Sequence, residues 1–299
     1  MTQRTISAPL ETEGIGIHFG KRVRVRVLPA PANSGIQFRV QKGMPIPASL
    51  TRVKRFQRAT CLTNGLTEVY TVEHLLAALY GLGVTNLLVE LDQQELPILD
   101  GSSAEWTQML QATGIEGQSG GCKSLIIKNR LMFSSPHGQI IFSPDKGLRF
   151  SHTVLFDGSP IQQADVHLDD FTGEIAPART YCFSSDLLKL KKTGLLGGLD
   201  SLAGFVVVDE KNTAYLKDLF SVDIQSCWYD RHPFPLLSVE PPRFENEMAR
   251  HKILDMIGDF SLSGYRLQGR IEAVGTGHQD NHDALRLLLS RASDFDLVD

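Results

Sequence analysis

The chain has 299 residues, and its net charge of −4 excludes the strong positive field that non-specific nucleic-acid binding requires. The amino terminus leads into no apolar signal-peptide core, and no run approaches the roughly 18 to 20 apolar residues of a membrane span. Its four cysteines are too widely spaced for a disulfide framework or a thiolate zinc site. We therefore expect a cytoplasmic protein with no nucleic-acid partner and no membrane span.

The first part of the chain mixes strand and helix patterns. Residues 22–27 alternate strictly between arginine and valine, which predicts a strand with one wet and one apolar face. The other predicted elements here are a glycine-rich turn at 14–20, a helix at 71–80, a strand at 87–91 and a helix at 104–112. The polar, glycine-rich residues 114–121 are the best candidate for a linker.

The second part repeats this plan in outline. It predicts strands at 126–127 and 139–142, a turn at 136–138, a helix at 251–259 and a strand at 270–274. In both parts a histidine lies near the start of an apolar helix, and a glycine turn then leads to a strand. This pattern indicates either an internal duplication or two independent copies of a common helix–turn–strand unit.

The strongest chemical pattern lies on the helix at 251–259. His251 and Asp255 are four residues apart and therefore project from one helix face, a spacing that suits two ligands of one divalent metal ion. Asp259 continues this row, and the opposite face is apolar and must pack against a core. Taken alone, the His–Asp pair is better explained as an incidental polar stripe.

Two further groups add to this pattern. Glu73 and His74 open the other strong helix, which places a carboxylate beside a metal ligand. His278 follows Gly277 in a loop after a predicted strand, where the backbone can approach a ligand closely.

At these residues the chain resembles a known family, the UDP-3-O-acyl-N-acetylglucosamine deacetylases of lipid A biosynthesis. The resemblance rests on several blocks in the family's order, spread over almost the whole chain. The blocks are TVEHLL at 71–76, PILDGS at 97–102, ARTY at 178–181, VVDE at 207–210, HKILDMIGD at 251–259 and GH at 277–278. Several unrelated blocks in order are far less probable by chance than any one of them.

The resemblance implies an α+β fold of two similar domains, each a layered sheet with helices, with the helices packed between the two sheets. It places these domains at residues 1–118 and 122–299. It also implies Zn²⁺ as the cofactor, held by His74, His251 and Asp255. The implied reaction is hydrolysis of the substrate's N-acetyl group to the free amine and acetate.

The implied catalytic residues are Glu73 as general base, His278 as proton donor, Thr180 as oxyanion contact and Asp259 as the partner of His278. Each role has a chemical reason: the site needs a group that takes a proton from water and another that protonates the leaving amine. A carboxylate beside an imidazolium favours its protonated form. For Thr180, an ordinary loop or capping role remains the alternative.

The implied partner is a nucleotide-linked acylated glucosamine substrate bound by a monomer. Lys252, Tyr181, Phe183 and Leu187 are the predicted substrate-binding residues, the last two in an acyl-binding insert near 183–205. The alternative for the insert is an amphipathic helix that packs on its own domain, and for Lys252 a solvated helix lysine.

The sequence also departs from the family pattern. Tyr181 stands where phenylalanine is usual, and His282 is unusual at its position, four residues after His278, where the two could chelate a metal ion. An extra segment near 211–240 is too apolar for a free linker, and we expect either a cover over the substrate channel or a loop docked away from it. These departures leave two rival functions, a zinc amidase for another acetylated sugar and a catalytically inactive binding protein.

Overall fold

The computed structural model describes residues 1–195, 197–198, 203–209, 215–216, 227–231 and 233–299. Its α-helices in these ranges are α1 (Glu73–Gly81), α2 (Ala104–Thr113), α3 (Ser184–Lys192), α4 (Glu247–Ser261) and α5 (His278–Ser290). Short helical turns occur at Leu50–Arg52, Leu168–Asp170 and Phe171–Ile175. None of the helices described is both long and apolar enough to cross a lipid bilayer.

The strands divide between the two halves of the chain. The first half contains β1 (Thr2–Ile6), β2 (Leu10–Ile15), β3 (Arg22–Pro29), β4 (Ile36–Val40), β5 (Ile46–Pro47), β6 (Val53–Lys54), β7 (Cys61–Thr63), β8 (Glu68–Tyr70), β9 (Leu87–Leu91) and β10 (Ile115–Gly121). The second half contains β11 (Ser124–Ile127), β12 (Leu131–Ser134), β13 (Gln139–Ser143), β14 (Leu148–Phe156), β15 (Ser159–His167), β16 (Tyr181–Phe183), β17 (Phe205–Val207), β18 (Trp228–Tyr229), β19 (Leu236–Leu237), β20 (Arg266–Val274) and β21 (Phe295–Val298).

The main sheet of the first half has the order β2-β3-β9-β4-β5. In β3 the three valines are buried and the three arginines are exposed, as the strict alternation predicts. The predicted strand at 87–91 and the predicted helices at 71–80 and 104–112 are confirmed as β9, α1 and α2.

The predicted linker at 114–121 is wrong, because these residues form β10, which pairs antiparallel with β1. Most side chains of β10 are exposed, so the strand carries no apolar alternation that a sequence pattern could reveal. Backbone hydrogen bonds to β1 hold it instead, and these do not depend on side-chain type.

The main sheet of the second half is organised around β20, which pairs parallel with β11 and β14 and antiparallel with β13. The predicted strands and the turn at 136–138 are confirmed as β11, β13 and the β12–β13 connection. Helix α4 packs against β14 and β15 of this sheet. Helix α4 therefore lies between this sheet on one side and α1 on the other.

The two helices that carry the predicted metal ligands cross at very short range. A Cβ atom on Gly258 of α4 would lie 2.2 Å from the carbonyl oxygen of Glu73 in α1, so only glycine allows this approach. One continuous core contains inward-facing residues of both sheets and the buried faces of α1 and α4. This arrangement of sheets with helices between them confirms the α+β class.

A smaller sheet with the order β16-β17-β19-β18 lies beside α3. It has its own core, formed by Leu187, Val206, Val208, Leu216, Cys227 and Leu237. It joins parts of the predicted acyl-binding insert to parts of the extra segment. Residues 196, 199–202, 210–214, 217–226 and 232 of those two regions lie outside the described residues.

Candidate metal centre and active site

Three ionisable side chains meet where α1 crosses α4. His74 is the second residue of α1, and His251 and Asp255 lie one turn apart on α4. One ligand atom from each lies within 4.8 Å of the other two, and all three residues are buried. In the described part of the chain, this is the one group of His, Cys, Asp or Glu side chains that meets the geometry of a metal site.

The geometry of this triad fits a metal ion. Asp255 Oδ1 is buried without a hydrogen-bond partner, 3.4 Å from His251 Nε2 and 3.8 Å from His74 Nε2. A buried carboxylate oxygen with no donor is costly, and a cation between these atoms would remove that cost. His251 Nδ1 lies 3.1 Å from the Ala178 carbonyl oxygen, which can accept its N–H and leave Nε2 free to bind a metal.

The charges of the triad also fit a divalent cation. Burial lowers the pKa of His74 to about 3 and lowers that of His251 as well, so both imidazoles are neutral near pH 7. Burial opposes ionisation of Asp255, but His251 and Lys252 outweigh it and keep the pKa of this carboxyl below its ordinary value. Two neutral imidazoles and one carboxylate form a normal ligand set for catalytic zinc, with a fourth position open.

Glu73 places a carboxyl group beside the triad at the start of α1. The chain approaches this helix through Thr71, whose φ of +60° is rare for a non-glycine residue and whose hydroxyl donates to Glu95 Oε1 over 3.1 Å. The Thr60 backbone N–H donates to Glu73 Oε2 over 2.9 Å. Burial raises the pKa of Glu73 to about 8, which gives a carboxyl that takes up a proton readily.

His278 lies opposite Glu73 at the start of α5. Its Nδ1 donates to Asp259 Oδ2 over 2.8 Å, so the structure brings together the two residues that the sequence pairs. Its Nε2 lies 3.9 Å from Glu73 Oε1 and 3.8 Å from Asp255 Oδ2. Burial favours the neutral imidazole, but Asp259 and Asp255 outweigh it and raise the pKa of His278 to about 9. This imidazole is therefore protonated near neutral pH.

Three residues that the sequence did not predict in these positions surround Asp259. Asn281 Nδ2 donates to Asp259 Oδ2 over 2.8 Å, His282 Nε2 lies 3.2 Å from Oδ1, and the Thr60 hydroxyl donates to Oδ1. His278 and His282 therefore both point at one carboxylate, and chelation of a second metal ion by this pair is not supported. Thr60 had no sequence signal, because Asp259, His278 and His282, which its hydroxyl approaches, are far away in the chain.

A buried ion pair of the preceding residue, Arg179, helps to fix the position of Thr180. Arg179 Nε donates to Glu247 Oε1 over 2.8 Å at the start of α4, and both side chains are almost fully buried. The Thr180 backbone N–H donates to the Gly101 carbonyl oxygen over 2.7 Å. These contacts fix the turn that supplies both the Ala178 carbonyl to His251 and the Thr180 side chain to the site.

A cavity of about 680 Å³ opens over the triad, and its lining contains both polar and apolar side chains. Its polar lining includes Gln57, Arg58, Glu73, His74, His137, Thr180, His251, Lys252, Asp255, His278, Gln279 and Asp280. Its apolar lining includes Ile17, Phe56, Ile98, Cys182, Leu190, Leu195, Ala203, Phe205 and Val206. Such a cavity suits a ligand with one polar and one long apolar part.

The predicted substrate-binding residues separate into two pairs. Lys252 and Tyr181 line the cavity, and Lys252 Nζ lies 3.0 Å from Asp255 Oδ2 and 5.8 Å from the Tyr181 ring centre. Phe183 and Leu187 are not among the residues that line it. Leu187 is fully buried in the small core, and the Phe183 ring packs near Phe156, 5.0 Å between ring centres.

The described residues of the extra segment lie elsewhere. None of them lines the main cavity, while Arg231, Pro233, Phe234 and Leu236 contribute to a second cavity of about 670 Å³ near the start of α4. The Phe234 ring lies 4.7 Å from that of Phe156, between ring centres. In this part of the chain the segment is docked on the protein, and its role as a channel cover stays a prediction.

Sequence comparisons agree with this geometry. A profile of the UDP-3-O-acyl N-acetylglycosamine deacetylase family matches residues 3–221 and 233–290, and the gap between them falls within the extra segment. Two relatives are UDP-3-O-acyl-N-acetylglucosamine deacetylases from Myxococcus xanthus, 37% identical over 99% of this chain and 89% of the relative, and from Cellvibrio japonicus, 33% identical over 100% and 93%. A third, from Anaeromyxobacter dehalogenans, has the same name and is 35% identical over 96% of this chain and 87% of its own. The chain therefore belongs to the UDP-3-O-acyl N-acetylglycosamine deacetylase family.

Proposed function

We propose that this protein is a zinc-dependent deacetylase that hydrolyses the N-acetyl group of UDP-3-O-acyl-N-acetylglucosamine to the free amine and acetate, in lipid A biosynthesis. The observation that carries this proposal is the buried triad of His74, His251 and Asp255, with Glu73 and His278 beside it at the base of one cavity. Family membership supplies the substrate class. The same intact site argues against an inactive binding protein.

His74, His251 and Asp255 hold the zinc ion. When bound, zinc lowers the pKa of a water molecule, polarises the acetyl carbonyl and favours the ionised form of nearby Glu73. The Glu73 carboxylate accepts the proton of the attacking water, because it is the basic group beside the triad that is not itself a ligand. The Thr60 N–H bond to Oε2 holds this carboxylate in place.

His278 donates a proton to the leaving nitrogen. The imidazolium is suited to this step because Asp259 holds it by Nδ1, so that Nε2 faces the triad. Thr180 lies in the cavity wall and stabilises the negative charge that develops on the acetyl oxygen. Lys252 contacts the polar part of the substrate, with Tyr181 beside it.

The apolar side chains of the cavity lining bind the acyl chain of the substrate. Within the predicted insert near 183–205, Leu190, Leu195 and Phe205 line the cavity, whereas Leu187 stabilises the insert from its own core. We keep the division into two domains, predicted at 1–118 and 122–299, and β10 extends the first of them to Gly121 because it pairs with β1.

The proposal of a cytoplasmic location rests on the absence of disulfides among the described cysteines. Among the described residues, Cys61, Cys122 and Cys182 form no disulfide. Unpaired cysteines are typical of reducing compartments, where disulfides rarely persist.

Acetate release from UDP-3-O-acyl-N-acetylglucosamine tests the function directly. We expect the zinc-loaded enzyme to release one acetate per free amine, and a strong chelator to reduce the rate by more than about tenfold, because the water is no longer activated. Added zinc should restore the rate.

UDP-N-acetylglucosamine without the acyl chain is the comparison substrate. Equal turnover of both substrates would favour an amidase for another acetylated sugar, and chelator-resistant activity would contradict the zinc assignment.

A further inference from the structure

Thr60 contacts both sides of the site through different atoms. It lies just before β7 and is fully buried, and its side-chain hydroxyl has no role in the proposed binding or chemistry. Its backbone N–H donates to Glu73 Oε2 over 2.9 Å, and its hydroxyl donates to Asp259 Oδ1. The proton-accepting carboxylate and the partner of the proton-donating imidazole are therefore connected through a single residue.

The hydroxyl of Thr60 completes the set of donors around Asp259. Oδ2 accepts bonds from His278 Nδ1 and Asn281 Nδ2, both over 2.8 Å, while Oδ1 is approached by His282 Nε2 at 3.2 Å and by Thr60. A carboxylate has about four lone-pair positions, so the four donors occupy all of them. Donors on both oxygens prevent rotation of the carboxylate and keep Oδ2 directed at His278.

We propose that Thr60 is a positioning residue of the deacetylation, which fixes the Asp259–His278 pair relative to Glu73 through its side-chain hydroxyl. The inference rests on the proposed function. Thr60 comes from the first half of the chain, whereas Asp259, His278 and His282 come from the second. The residue thus sets the distance between proton acceptor and proton donor, for which the structure gives 3.9 Å between Glu73 Oε1 and His278 Nε2.

Substitution by valine separates this role from simple filling of space. Valine has nearly the shape of threonine and keeps the backbone N–H to Glu73, but it cannot donate to Asp259. Because His282 still donates to Oδ1, the carboxylate is not left unpaired and the fold should survive. Serine restores the hydroxyl without the methyl group.

The test compares Thr60→Val and Thr60→Ser with the wild-type enzyme, each loaded with zinc. Thr5→Val is the matched control, since Thr5 is equally buried and its hydroxyl donates over 2.7 Å to the Asn86 carbonyl oxygen, away from the site. For Thr60→Val we expect kcat to fall about 10- to 100-fold, the range for loss of one hydrogen bond to a buried charged group, with KM and zinc content unchanged. Thr60→Ser and Thr5→Val should stay within about threefold of wild type, because the bond at Asp259 is kept.

A double-mutant cycle shows whether Thr60 acts through Asp259. In an Asp259→Ala background, Thr60→Val should lower kcat by less than about twofold, because the hydrogen-bond acceptor is already absent and the 3.4 Å separation from His278 Nδ1 is too long to replace it. The full loss in both backgrounds would overturn the proposal, as would Thr60→Val with wild-type kcat or Thr60→Ser as impaired as Thr60→Val. Failure of the proposed function would look different, since the wild-type enzyme itself would then release no acetate.

Discussion

Asp255→Ala should leave the protein unable to retain zinc and without measurable deacetylase activity. The substitution removes the only anionic ligand and leaves two neutral imidazoles, His74 and His251. We expect the zinc affinity to fall by more than about 100-fold, because changes in residues that only support ligands already cost 10- to 100-fold. His251→Ala should behave similarly, since it removes a ligand from the same helix turn.

Zinc content after dialysis and the zinc dependence of Tm measure this loss without reference to activity. A ligand that binds only the folded state raises Tm, so zinc should stabilise the wild-type protein and leave Asp255→Ala unchanged. His152→Ala is the matched control, because His152 is equally buried, has its pKa lowered by burial to about 3, and lies outside the triad. It should keep its zinc. Full metal retention by both Asp255→Ala and His251→Ala would refute the ligand assignment.

The elements that carry the ligands were predictable because their sequence signals are local. The helix at 251–259 has a polar row and an apolar face at helical spacing, and β3 has a two-residue alternation. The ligand set itself came from the ordered family blocks, since the His251–Asp255 spacing alone is a weak signal. The structure adds that α1 and α4 approach closely at Gly258, which brings His74 to the other two ligands.

The features that the sequence missed depend on contacts between distant residues. Thr60 and Asp259 are 199 positions apart, and neither has a motif that indicates the other. In the insert, a helix with several leucines does not reveal which of them face a cavity, and the structure puts Leu190 there and Leu187 in the core. Strand β10 was missed because pairing by backbone atoms leaves no side-chain pattern.

Glu73→Gln should retain zinc but lose at least about 10² in kcat, the contribution expected of a general base. Glutamine has the shape of glutamate, and its amide oxygen can still accept the Thr60 N–H, so the α1 terminus should be preserved. What is lost is the ability to take a proton from the attacking water. KM should change little, because Glu73 acts on the water rather than on the substrate's nucleotide or acyl chain. Glu73→Ala should show the same loss of kcat with zinc bound.

Glu73→Asp tests whether the carboxylate or merely its place in the structure matters. It keeps an ionisable group but withdraws it by one methylene from both the triad and the Thr60 N–H, so we expect activity between that of wild type and that of Glu73→Gln. Zinc content and Tm should be similar in all three variants, which would separate the loss of a base from the loss of the site. If Glu73→Gln turned over substrate at the wild-type rate, the proton acceptor would have to be another group, and His278 is the nearest candidate, with its Nε2 3.9 Å from Glu73 Oε1.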